Sequence, residues 1–244
     1  MNRTLLFAIA VATTPSSFAA HTKSADFGGW TLPAEYFDVG YRGGEIKPQG
    51  GNEVDIDTVG LELSEQLSNH WRVSSTLDYS KYQYPADNGY GINTTLKFDI
   101  GIDLIRALGL SGYLSGGLGY FDWETGLQKS VEVTSNEDPS LQDGEVITLL
   151  QDIELDGFGA IVGGGVEFSP ACFIWLQARY EHAIFDDMET RGWSLSLSVP
   201  FASNEDIGYA LSFQFADHER EIATGGLDST FDVSAFGVSL RISF

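Results

Sequence analysis

Over most of its length the chain repeats one pattern: stretches in which apolar and polar side chains alternate with a period of two, separated by clusters of Gly, Pro, Asn and Asp. The last stretch is the plainest, setting Phe236, Val238, Leu240, Ile242 and Phe244 against Gly237, Ser239, Arg241 and Ser243. Successive side chains of a strand point to opposite faces, so each such stretch predicts a strand with one apolar face. Ten are predicted, over 35–46, 54–67, 71–84, 92–105, 110–125, 150–168, 172–185, 191–199, 207–216 and 231–244. Eight is the alternative if the first hairpin is read differently. Two long connections are expected, at 126–149 and 217–230, and the strand-like ends of the first, Ser130–Thr134 and Glu145–Leu149, predict a hairpin that continues beyond its neighbours.

Alternation alone fits a soluble barrel or sandwich as well as a membrane barrel. The polar face separates them. A water-facing surface would be rich in Lys and Glu, whereas here the polar positions are mostly Ser, Gly, Thr and Ala. The basic residues within the predicted strands, Arg42, Arg72, Lys97, Arg179 and Arg241, all fall in the polar register, as do Glu62, Asp78, Asp99, Asp103, Glu167 and Glu181. A lysine or arginine facing lipid at the bilayer midplane costs roughly 2–4 kcal/mol, so the polar face is read as a lumen. Strands cross a bilayer only when every edge is paired, which requires closure. The expected fold is therefore all-β: a closed antiparallel transmembrane β-barrel.

Both ends of the chain fit that reading. Residues 1–19 carry Arg3, an apolar run from Leu5 to Ala12 and the small-residue site Ser17-Phe18-Ala19, the signature of a cleaved secretory signal. Cleavage after Ala19 leaves no cysteine for a lipid anchor, and the apolar run is too short to span a membrane. Residues 20–33 form an N-terminal lead and 34–244 a single barrel domain. A strand ending the chain on Phe244 resembles the closing strand of small bacterial outer-membrane β-barrel proteins. That resemblance implies the outer membrane of a Gram-negative bacterium, insertion by the barrel-assembly machinery, and lipid and lipopolysaccharide as surroundings. The connections 68–70, 106–109, 169–171 and 200–206 are short, as periplasmic turns are, which places both termini in the periplasm.

Composition sharpens the picture in three places. Twenty-eight glycines and twenty-six Phe and Tyr residues suit strands, tight turns and aromatic girdles. A net charge of −22 argues against a nucleic-acid partner. The single cysteine, Cys172, leaves disulfides out of the fold.

Position along the strands assigns depth to the candidate site. Arg72, Arg241, Asp103 and Glu167 are expected to pair low in the lumen, with Lys97 and Asp99 near the middle and Arg42, Arg179 and Glu181 higher. Trp71, Phe168 and Phe244 mark one predicted aromatic girdle, and Tyr41, Tyr79, Tyr120 and Trp193 the other. A barrel of about eight strands is just filled by its own side chains, so ten strands crossed by paired charges suggest a plug rather than a pore. The expected protein is non-enzymatic, with no cofactor and no metal, acting structurally or through acidic surface loops. A narrow passive channel for small solutes is the alternative. Ten strands also resemble the omptin surface proteases; Asp55, Asp57, Asp186, Asp187, His182 and the Asp217-His218 pair are the candidate rim residues, but none reproduces a motif of that family. The acidic tip 136–145 offers oxygen ligands without the spacing of a calcium loop.

Overall fold

In the computed structural model, which describes residues 33, 35–48, 53–83, 88–105, 109–132, 146–171, 174–203, 207–224 and 227–244, all regular structure is strand. The ten strands are β1 (Tyr36–Pro48), β2 (Val54–Gln66), β3 (Trp71–Gln83), β4 (Asn88–Ile105), β5 (Leu110–Glu132), β6 (Val146–Ala171), β7 (Ile174–Phe185), β8 (Met188–Ser203), β9 (Gly208–Thr224) and β10 (Leu227–Ser243). Each is antiparallel to its chain neighbours, and β1 pairs with β10 from Tyr36↔Ser243 to Pro48↔Phe231, closing the barrel. The expected leader, most of the lead, Cys172 and the acidic tip lie outside the described residues.

The outer wall carries an apolar belt. On β10, Leu240, Val238 and Phe236 are exposed, as are Leu114 and Leu118 on β5 and Val59 and Leu61 on β2. Trp71, Phe201 and Phe244 are exposed at the end that bears the termini, and Tyr41, Tyr79, Tyr90, Phe158 and Trp193 toward the opposite end. Tyr120 packs against Phe158 at 4.9 Å and Trp193 against Phe215 at 5.3 Å, each pair of rings tilted, bracing the second girdle. From Phe244 to Phe236 a strand tilted by ~40° rises about 20 Å, close to the ~25 Å apolar band of outer-membrane barrels.

Above the second girdle the strands continue and their chemistry reverses. On β2 the outward positions change from Leu61 and Val59 to Asp57 and Asp55, while the inward ones change from Ser64 and Glu62 to Ile56 and Val54. On β5 the outward series Leu114, Leu118, Tyr120 gives way to Asp122 and Glu124, and the inward side becomes Phe121 and Trp123. β6 places Asp156 and Glu154 outward with Leu155 inward, and β10 places Asp232 outward between inward Phe231 and Val233. Strand parity is unchanged; only the solvent outside differs. Where the wall faces hydrocarbon, polar groups must turn in, and where it faces water an ordinary apolar core forms inside.

This reversal corrects the expected connection at 217–230. The described ones, 217–224 and 227–230, are strand: β9 and β10 stay in register from Gly208↔Ser243 to Leu227↔Thr224. Asp217, Glu219 and Glu221 interrupt the apolar-out series and resemble a loop, yet they are the outward half of a paired strand. β8 likewise begins at Met188 rather than 191. β5 and β6 pair as far as Glu132↔Val146, the long hairpin that their strand-like ends predict. At the terminus end the walls are less regular, with register shifts at Asp103/Ile105, Phe168/Ala171 and Pro200/Ala202. Pro200 cannot donate to the ladder, so it sits where pairing slips.

Candidate functional site

The inward face of the belt is a layered set of ion pairs. Arg72, at the start of β3, lies in register with Asp99 on β4 and faces Glu167 of β6 across the lumen. Its Nε donates to Asp99 Oδ2 and its Nη1 to Glu167 Oε1, each at 3.0 Å, and all three residues are at most 1% exposed. Ser115 donates to Asp99 at 2.6 Å, Gln177 to Glu167 at 3.3 Å, and the guanidinium lies 5.1 Å from the Tyr113 ring centroid. The Ser115 bond occupies an Asp99 oxygen that an isolated pair would leave unmet, while Glu167 Oε2 is buried without a hydrogen-bond partner. A buried pair offsets its desolvation only when such additional hydrogen bonds are present.

Arg241 makes a separate knot. Its Nε donates to Asp38 Oδ2 at 3.0 Å across the closing seam, and its guanidinium covers Tyr36 at 4.1 Å. Tyr36 in turn donates to Glu62 at 2.7 Å. Nearer the middle, Lys97 bonds Glu181 at 2.6 Å, and Arg179 lies 3.8 Å from both Glu62 and Glu181 while donating to Tyr113 Oη at 3.0 Å. Arg42 pairs with Asp78. Gly237 makes that pair possible, because a Cβ there would collide with the Arg42 side chain.

The expected low cluster is therefore divided. Arg72 and Glu167 meet, but Asp99 joins them rather than standing above, and Arg241 takes Asp38 instead. Asp103 has a described backbone, opposite Ser111, but its side chain lies outside the described residues. Sequence reasoning leaves Asp38, Glu62, Tyr36 and Tyr113 out of the site, although all four occupy inward positions. Their parity was readable, but which strand each reaches across the lumen was not.

Above these pairs an apolar cluster lines the lumen, built by Ile46, Val54, Ile56, Tyr82, Phe121, Trp123, Leu155, Phe185, Met188, Ile222, Phe231 and Val233. Phe121 meets Phe185 edge-on at 4.8 Å, and Trp123 contacts Tyr82 at 5.4 Å and Phe231 at 6.2 Å. A cavity of about 280 Å³ lies in the lumen, lined by both the ion pairs and part of this cluster.

The candidate rim residues do not assemble a catalytic pair among the described residues. Asp217 and His218 are consecutive in β9, so they face opposite sides of the wall. Asp57 accepts from Tyr41 and from Gln83, and His182 bonds Glu189 at 2.8 Å. No group of acidic, His or Cys residues suited to a metal is found among the described residues.

His218 is instead an inward group beyond the second girdle, beside Gly192, whose lack of a Cβ admits the ring. Burial pushes its pKa down to about 4, assisted by Arg220 and Arg42 and opposed by Glu181. The ring is thus neutral in the fold, while in the unfolded chain it protonates near its ordinary value of 6.5. Its contribution is complete above pH 6.5 and is lost as pH falls toward 4. The shift corresponds to at most about 3 kcal/mol. Urea unfolding in lipid vesicles at pH 7 and pH 4 should show a stability loss that His218→Asn reduces by about that amount; an unchanged pH slope would contradict a desolvated His218.

A family model described as "Outer membrane protein beta-barrel domain" matches residues 5–201 of the chain. No curated protein matches the sequence. Among solved structures, the N-terminal β-barrel domain of Pseudomonas aeruginosa OprF is similar at 12% identity, covering 86% of this chain and 99% of its own, with a TM-score of 0.36. Neisserial surface protein A is similar at 12% identity, 86% and 97% coverage and a TM-score of 0.39. The outer membrane protease OmpT from Escherichia coli is similar at 8% identity, 86% and 96% coverage and a TM-score of 0.43.

Proposed function

The chain belongs to the outer membrane protein beta-barrel domain family, and from that premise we propose that it is a small non-enzymatic, non-conducting barrel with a structural or surface-interacting role. One observation carries this reading: the lumen is crossed by buried ion pairs within the belt and narrowed by an apolar cluster beyond it. An ion crossing it would have to break the Arg72 pairs and then pass an apolar-lined layer. Both steps oppose permeation. The wall beyond the belt, with Asp55, Asp57, Asp122, Glu124, Glu154 and Asp156 turned outward, would stand in the polar layer of the outer leaflet. Both termini then lie in the periplasm, the barrel-assembly machinery acts during insertion, and divalent cations bridge the acidic wall to lipopolysaccharide phosphates.

Single-channel recording on the refolded barrel in planar bilayers tests the reading. The expected result is no unitary conductance in 1 M KCl. Reproducible openings from the folded monomer would favour the alternative, a narrow channel for small solutes.

A further inference from the structure

Among the described residues, one inward-facing cation stands apart from the rest. Each inward-facing cation of the belt has an acidic partner: Arg72 with Asp99 and Glu167, Arg241 with Asp38, Lys97 with Glu181, Arg179 with Glu62 and Glu181, and Arg42 with Asp78. Arg220, inward on β9 and lining the cavity, has no ion-pair partner among the described residues. Its guanidinium lies 5.9 Å from the Trp123 ring, and its Nε is buried without a hydrogen-bond acceptor. Trp123 is 3% exposed, and its Nε1 is also a buried donor with no acceptor. Thr190, in register with Arg220, leaves its hydroxyl oxygen unpartnered as well. All three residues line the same cavity, whose remaining wall at that level includes Tyr82, Phe121, Phe185 and Met188.

Buried donors without acceptors are costly, and an unpaired cation against an apolar wall more so. The Arg220 guanidinium, without an ion-pair partner among the described residues, lines a space that it shares with aromatic and aliphatic side chains. Small-molecule sites have this composition: mostly apolar, with a few polar groups that fix orientation. We propose that the upper lumen binds a small amphipathic monoanion, its carboxylate or sulfonate accepting from the Arg220 guanidinium and its apolar body lying against Tyr82, Phe121, Phe185 and Met188. The site goes beyond the non-conducting reading and is tested apart from it: conductance interrogates passage along the lumen, binding interrogates the chamber.

The test is titration of 2-naphthoate, and of its uncharged twin 2-naphthalenemethanol, into the refolded full-length barrel in detergent micelles, followed by probe fluorescence. Saturable binding of naphthoate is expected, at least tenfold tighter than the alcohol. Arg220→Gln should abolish that preference while leaving the alcohol unaffected, Arg220→Lys should retain part of it, and Arg191→Gln on the outer wall should change nothing. Heat-modifiable gel mobility verifies folding of each variant. Should Arg220→Gln not fold, the comparison of anion with alcohol on the unmodified barrel decides. Equal affinity for both probes, equal naphthoate binding with and without Arg220, or no saturable binding overturns the proposal.

Discussion

Replacing Arg72 by Met will destabilise the barrel by about 3–5 kcal/mol, because it leaves Asp99 and Glu167 buried beside each other without a cation. Equilibrium unfolding in urea from lipid vesicles measures this. Converting the acids as well, in Arg72→Met with Asp99→Asn and Glu167→Gln, should recover most of the loss, since the penalty lies in uncompensated charge rather than in the absence of a bond. Arg72→Met alone costing under about 1 kcal/mol would mean that water already reaches these carboxylates. The lumen would then be wetter than its burial indicates.

The second large effect belongs to the other half of the lumen. Phe121→Ala should cost about 3–5 kcal/mol, the range for removing a buried aromatic, because Phe121 is 4% exposed and packed edge-on against Phe185. Unlike the Arg72 change, this loss should appear in the strand segments beyond the second girdle, read by faster amide exchange on β5, β6 and β7. The two substitutions share no partner, so the double variant should be additive within about 0.5 kcal/mol. Strong coupling would show that the ion pairs and the apolar cluster form one cooperative layer.

How much of this was legible in the sequence depends on which solvent a strand faces. Within the belt, alternation gave strand number, closure and side-chain direction: Phe236, Val238 and Leu240 read outward and Ser239 and Arg241 inward, as the structure has them. Beyond the belt the same period persists with its polarity reversed. Asp217, Glu219 and Glu221 then read as loop, and inward Phe231 and Val233 lose their meaning as core. The signal was present as alternation continuing through a change of face, but it cannot be interpreted without knowing where the membrane ends.

The lumen was legible as a list and not as a set of contacts. Parity placed Arg72, Asp99, Glu167, Lys97, Arg179, Glu181 and Arg42 inside, yet partners are chosen by barrel register and by reach across the axis. Arg241 meets Asp38 because β1 and β10 pair with those two residues opposite one another. Arg72 meets Glu167 across the lumen, at a separation of 95 residues along the chain. Neither follows from spacing in one strand. The unmet donors of Arg220 and Trp123 were further from view, because both lie in segments whose inward face is visible only after the polarity reversal is known.

That reversal is the centre of the account, and a nitroxide scan along β10 tests it most directly. Single cysteines placed at residues 232 to 242, in a background with Cys172→Ser, would be spin-labelled in lipid vesicles and read for collision with oxygen and with a water-soluble nickel chelate. Outward positions 236, 238 and 240 should favour oxygen, outward positions 232 and 234 should favour nickel, and inward position 233 should be protected from both. Oxygen-dominated contact continuing through 234 and 232 would place those residues in hydrocarbon and contradict a barrel whose core turns from polar to apolar where it leaves the membrane.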